Sequence, residues 1–157
     1  MSKVTSHAKS SIFLEHSKSF HYLCREVLFI YEDMIEIGLS YTTQLTVTDA
    51  DTAIAAGSGD MPVLATPRML ALMENAAMLA VKEQLPEGCT TVGGHIESSH
   101  LKPSKIGDTI KAVAEVTKVD GKKIEYKVSA FSGDTLLGEG THLRFVVDRE
   151  KFLSKLG

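Results

Sequence analysis

The sequence predicts an α+β domain in which one antiparallel sheet wraps around a single long helix. Three observations predict it. The run "TPRMLALMENAAMLAVKEQL" from Thr66 is apolar on nearly every side, and a helix of that kind has to be covered by other elements. Downstream lie four runs rich in alternating or β-branched residues, with no second long helix among them. Two joints between those runs are the dipeptides Asp120-Gly121 and Gly133-Asp134, which favour tight hairpin turns.

The elements follow in order. "IEIGLSYTTQLTV" alternates and carries β-branched residues, so a first strand is expected at about 41–47. The small, acidic, Gly-containing stretch "TDADTAIAAGSGDMPVLA" reads as a loop. Thr66 reads as the N-cap of the long helix, with Pro67 at the first helical position, where its missing N–H costs nothing. The helix is expected to end near Leu85, before Pro86 and Gly88, and to be buried on most sides. Then come the strands "TTVGGHIESSHL", "DTIKAVAEVTKV", "KKIEYKVSAFS" and "TLLGEGTHLRFVVD", expected to form an antiparallel meander, with Ile110, Ala112, Ala114 and Val116 on one face. "REKFLSKLG" reads as a short C-terminal helix. One strand, a long loop, a covered helix and four more strands make the hotdog fold.

At 157 residues the chain fits one domain with a real core. Residues 34–157 are expected to form it. Residues 1–33 read as an extension, either native or the product of a start placed upstream of Met34, with "LCREVLFIY" a candidate short helix. A net charge of −3 with no clustered basic surface gives no sign of a nucleic-acid partner. No apolar run approaches the roughly 20 residues that cross a bilayer. Cys24 and Cys89 form neither a metal motif nor a disulfide framework, which fits a cytoplasmic protein.

Chemistry gathers in two places. Glu74 stands in the middle of the apolar helix, where an unpaired carboxylate is costly and must raise its pKa or find a donor. It either lies on the helix's one wet face or takes part in catalysis. The strand "GGHIESSHLKP" holds His95, Glu97 and His100 within a few residues. His95 and His100 are five apart and so face opposite ways in a regular strand, which argues against a shared metal. His100, near the strand end and Pro103, is the histidine expected to meet the helix carboxylate. His95 is expected on the solvent side. Gly93 and Gly94 suggest a bulge or a close backbone approach. His142 and Arg144 share a strand face and are candidates for phosphate contacts, as are Lys102 and Lys105. Their alternative is pairing with acidic residues of neighbouring strands.

"ATPRMLALMENAAM", "GGHIESSHLKPSKIGDTI" and "GEGTHLRFVV", in this order, resemble the bacterial fluoroacetyl-CoA thioesterase and its relatives in the hotdog thioesterase superfamily. The similarity spans about 35–156. The resemblance implies an acyl-CoA thioesterase with Thr66, Glu74 and His100 as catalytic residues. It also implies no metal or organic cofactor and a homodimer with sites at a subunit interface, and such dimers can pair again into a homotetramer. Gly93, Gly94, Lys102, His142 and Arg144 are the substrate and CoA contacts expected from residue chemistry and position. The loop "AIAAGSGDMPVL" lacks the phenylalanines of the fluoroacetyl-specific lid. A small or medium acyl group, or an aryl-acyl group, is therefore expected instead.

Residue chemistry supports the same activity. Glu74 can act as general base on water or attack the thioester directly. His100 can move protons, Thr66 can position water or the thioester, and N–H groups of the first helical turn can hold the oxyanion. Thr66 and Glu74 are eight residues apart, about 12 Å of helical rise, so a site using both at one carbonyl calls for either a displaced helix start or two chains, and a dimeric site is favoured. The competing reading is a non-catalytic acyl-CoA-binding module of the same fold, which would have no need of Glu74. A hydratase would want a histidine shortly after an aspartate, and Asp60 has none.

Overall fold

The computed structural model describes residues 34–157. The expected extension at 1–33 and its candidate helix lie outside the described residues. Strand β1 is Ser40–Thr46. The long helix, α2, is Thr66–Ala80. Strands β2 (Cys89–His100), β3 (Thr109–Asp120), β4 (Lys123–Ser132) and β5 (Thr135–Asp148) follow, and the short helix α3 is Arg149–Leu153. All pairings are antiparallel, in the order β1-β3-β4-β5-β2.

That order corrects the expected four-strand meander. β3, β4 and β5 are successive hairpins, but β2 pairs with β5 and forms a sheet edge. The crossing from β2 to β3 carries a proline at Pro103 and runs past the start of α2. There Leu64 N–H donates to the Ser104 carbonyl and Gly107 N–H to that of Val47. Tight dipeptides mark hairpins, whereas nothing local to β2 identifies the strand it will join.

Bulges bend the sheet around the helix, at Gly93/His95 on β2, at Val116/Lys118 on β3 and opposite Ala130/Phe131 of β4. The inward face carries the expected Ile110, Ala112, Ala114 and Val116, joined by Ile124, Tyr126, Val128 and Ala130. Met69, Met73, Ala76, Ala77 and Ala80 of α2 pack on it, chiefly over β3 and β1. Among the described residues the helix is not buried on most sides, because a five-stranded sheet covers one face. Leu70, Leu72, Met78 and Leu79 stay half-buried, and Ala71 and Asn75 are exposed.

Local differences have local causes. Ala65, not Thr66, is the N-cap of α2, and Thr66 is the first helical residue with its hydroxyl drawn elsewhere. The helix stops at Ala80 and tightens into a 3-10 turn over Lys82–Gln84. The first hairpin turn is Gly121-Lys122, since Asp120 still pairs with Lys123, and Gly121 takes the positive φ of 55°. The expected loop before α2 is partly ordered as a 3-10 turn, Asp49–Asp51, and a one-turn helix α1, Ala53–Ala56, capped by the Thr52 hydroxyl.

Candidate active site

The first group forms where α2 begins. Thr66 Oγ1 lies 2.8 Å from His100 Nδ1. A hydroxyl in the first turn is free to leave the helix, and His100 at the end of β2 is brought to it by the crossing that follows. Burial lowers the His100 pKa, against an opposing contribution from the Lys102 backbone, so the ring is neutral and basic near pH 7. The pair lines an open cleft of about 380 Å³ with Ala53, Leu64, Leu101 and Lys102. Lys102 and Lys105 are both exposed beside it. Among the first-turn donors, the Arg68 and Met69 N–H groups bind the Ala65 carbonyl and Pro67 has none, which leaves the Thr66 N–H for an oxyanion.

The second group surrounds Glu74. Its carboxylate is 3.5 Å from Arg144 Nη1 and 3.9 Å from His142 Nε2. Within the chain, the histidine beside Glu74 is thus His142 of β5. The expected His100 is at the other end of β2, seven residues from Gly93 and so about 23 Å away along an extended strand. The carboxylate has a counter-ion in Arg144, as a carboxylate in an apolar helix needs, yet its side chain is still 41% exposed.

Gly93 explains that exposure. A Cβ there would stand 2.9 Å from Glu74 Oε2, so the bare backbone leaves a window in β2 for the carboxylate. Gly94 is the bulge residue, and a Cβ on it would strike the Phe145 ring. His95 and Glu97 are exposed while His100 is half-buried, as their opposite strand faces require. Among the described residues, no group of three or more His, Cys, Asp and Glu side chains could hold a metal.

His142 and Arg144, expected as phosphate contacts, are buried and committed to protein partners. Arg144 donates from Nε to Thr91 Oγ1 and from Nη2 to the Thr91 carbonyl, both at 2.8 Å. Burial lowers the pKa of both His142 and Arg144. Thr91 carries no signal in the sequence, because its part depends on the β2–β5 pairing. Asp51 was also missed. It accepts from the Thr48 N–H and hydroxyl and from Arg68 at 2.7–2.9 Å, pinning the segment before the helix to its first turn.

A family model described as fluoroacetyl-CoA-specific thioesterase matches residues 47–150. The fluoroacetyl-CoA thioesterase of Streptantibioticus cattleyicolor is 36% identical over 94 residues, covering 60% of this chain and 68% of that protein. A solved structure of the fluoroacetyl-CoA thioesterase FlK is 31% identical, with a TM-score of 0.73 over 77% of this chain and 94% of the other. A hot-dog-like protein from Thermanaerovibrio acidaminovorans, 21% identical, shares the fold with a TM-score of 0.73 over 80% and 93% of the two chains. With its curved sheet, its single long helix and the motifs around Thr66, His100 and Arg144, the chain belongs to the fluoroacetyl-CoA-specific thioesterase family.

Proposed function

We propose that this protein hydrolyses a small or medium acyl-CoA thioester to the free acid and CoA, in the cytoplasm, as a homodimer whose sites are shared between chains. The observation that carries the reading is the Thr66–His100 hydrogen bond of 2.8 Å at the mouth of the cleft. It sets a hydroxyl against a neutral imidazole, a pairing suited to proton transfer at a bound thioester. Lys102 and Lys105, exposed beside the cleft, are the cations available to CoA phosphates.

Two observations support the shared site. Thr66–His100 and Glu74–Arg144–His142 are separate groups in one chain. Among the described residues the 12-residue β2 is also a sheet edge, and a long open edge is a template for pairing. Antiparallel pairing of two β2 strands about a two-fold axis between Ile96 and Glu97 sets position 93 of one chain opposite position 100 of the other. The Gly93 window then presents Glu74 to the partner's Thr66 and His100. In that site Glu74 activates water or attacks the carbonyl, Thr66 and its N–H hold the thioester oxygen, and His100 returns the proton. The thiolate of CoA is a good leaving group, so modest activation suffices.

Release of free CoA thiol from acetyl, longer alkyl and phenylacetyl thioesters tests the reading, with Glu74→Gln and His100→Ala alongside. Turnover lost in both variants is expected. Tight CoA binding with no turnover on any thioester would favour a binding module instead. Turnover that survives Glu74→Gln would keep the hydrolase and discard the carboxylate.

A further inference from the structure

His142 is buried in β5 and touches no part of the cleft, yet its two nitrogens are both placed. Nδ1 lies 2.6 Å from the His95 carbonyl oxygen. That oxygen can only accept, so Nδ1 carries the hydrogen. Nε2 lies 3.0 Å from Arg144 Nη1. A guanidinium can only donate, so Nε2 presents its lone pair. The neutral Nδ1–H tautomer satisfies both ends and the Nε2–H tautomer satisfies neither. An imidazolium would set a second cation 3.0 Å from Arg144. The charged and titratable groups around the ring are Arg144 on the same strand, Glu74 from α2, His95 from β2 and Tyr126 from β4, whose ring centroid is 6.3 Å away. Burial is the largest influence on the ring and also favours its neutral form.

The guanidinium is then held on three sides. Thr91 takes Nε and Nη2, and His142 takes one hydrogen of Nη1. The second Nη1 hydrogen goes to the main-chain carbonyl of Glu74 at 3.5 Å, and the same nitrogen stands 3.5 Å from the carboxylate oxygen Oε2 as its ion-pair partner. The distance of 3.9 Å from His142 Nε2 to the same oxygen is too long for a hydrogen bond, so this histidine does not pass a proton to the carboxylate. The Gly94 bulge completes the chain of contacts by shifting the β2 register just before His95.

We propose that His142 is a positioning residue for the Glu74 carboxylate, acting through Arg144. Locked in its Nδ1–H form by the His95 carbonyl, it fixes the guanidinium so that Nη1 stays against Glu74, bonded to its main-chain carbonyl and ion-paired with its carboxylate, and it makes no contact with CoA phosphate. The proposal rests on the reading of Glu74 as the reacting carboxylate. It assigns the histidine of the "GTHLR" run to the geometry of the acid rather than to ligand binding.

Nitrogen-15 NMR of the full chain with labelled histidine tests the tautomer without any mutation. A His142 ring protonated at Nδ1 alone near neutral pH is expected. Protonation at Nε2, or at both nitrogens, would overturn the proposal. Kinetics of His142→Phe and His142→Gln, on acyl-CoA and on the matching acyl-pantetheine, supply the second arm. Loss of the imidazole in His142→Phe is expected to lower kcat by about tenfold or more on both substrates with KM little changed, since a misplaced catalytic group costs rate. The glutamine amide can accept from Arg144 and should restore most of it. A KM effect confined to acyl-CoA would instead assign the residue to phosphate. A folded His142→Phe with full kcat, beside an inactive Glu74→Gln, would sink this proposal alone. Full activity in Glu74→Gln would sink the reading beneath it. Should His142→Phe fail to fold, the NMR result on the wild type decides.

Discussion

On the proposed mechanism, single atoms decide whether the Glu74 carboxylate can act. A methyl group at Gly93 would stand 2.9 Å from its Oε2 and push the carboxylate away from Arg144. Gly93→Ala is therefore expected to cut kcat by on the order of a hundredfold, while an edge-strand position leaves the melting temperature nearly unchanged. Assays of thiol release beside a melting curve check both halves. Thr66→Val keeps the shape of the side chain and removes the hydroxyl that meets His100. Its expected loss, roughly a hundredfold or more, is that of a group acting in proton transfer or oxyanion binding. Wild-type turnover in Thr66→Val would remove the hydroxyl from the mechanism. Glu74 and His100 stood out in the sequence because a carboxylate inside an apolar run and a histidine at a strand end are unusual, whereas Thr66 was marked as a site residue only by the resemblance to the thioesterases. Thr91 did not, since a threonine in a strand is ordinary until Arg144 is placed against it.

At the scale of elements, the segment 48–64 is the weakly packed neighbour of a well-packed helix. Ile54 and Met61 are exposed there, and Ala53, Ser58, Val63 and Leu64 line the cleft. Its anchor is Asp51, buried with four hydrogen-bond or ion-pair contacts to Thr48 and Arg68. Asp51→Ala leaves those donors without a partner and is expected to cost about 1–3 kcal/mol, read as a lowered melting temperature. It should also broaden the acyl groups accepted, because the segment borders the cleft. Unchanged stability and unchanged preference would show that the anchor is dispensable. The Thr48 hydroxyl, the first cause, holds the Asp51 carboxyl below its ordinary 3.8. Its contribution to stability is thus present above pH 3.8 and lost as pH falls through the lower folded value. The elements themselves were largely legible. β5 matches its expected span from Thr135 to Asp148, and the other strands shift by a residue or so at their ends. The N-cap was not, because His100 competes for the Thr66 hydroxyl and no window around Thr66 contains it.

For the whole molecule, two consequences follow. The first concerns acid. Burial lowers the pKa of both His100 and His142 below the ordinary 6.5. Between the lowered folded values and 6.5 the unfolded chain binds more protons, so stability falls as pH drops through that window. Melting temperatures are expected to fall on acidification from about pH 7.5 to about pH 5.5, and less so in His142→Gln. A melting temperature that holds or rises in acid would contradict the sign. The second concerns assembly. If each site takes Glu74 from one chain and Thr66–His100 from the other, mixing inactive Glu74→Gln with inactive His100→Ala and allowing exchange should recover about a quarter of wild-type activity. Half of random dimers are mixed, and each mixed dimer holds one intact site of two. No recovery after verified exchange would mean that each site belongs to one chain.

The sequence by itself determined the α+β class, the helix and its carboxylate, the run of strands and the turn regions of both hairpins, all of which depend on near neighbours and periodicity. It also determined the Thr66, Glu74 and His100 candidates and the distance that keeps Thr66 from Glu74. Only the tertiary structure decided that β2 joins β5 at the edge of the sheet, and hence that His142 and Arg144, rather than His100, stand beside Glu74 in one chain. Strand pairing is a contact between residues about 50 positions apart, as between Thr91 and Arg144. Such contacts are fixed by how the curved sheet closes over the helix, which no local pattern of residues encodes.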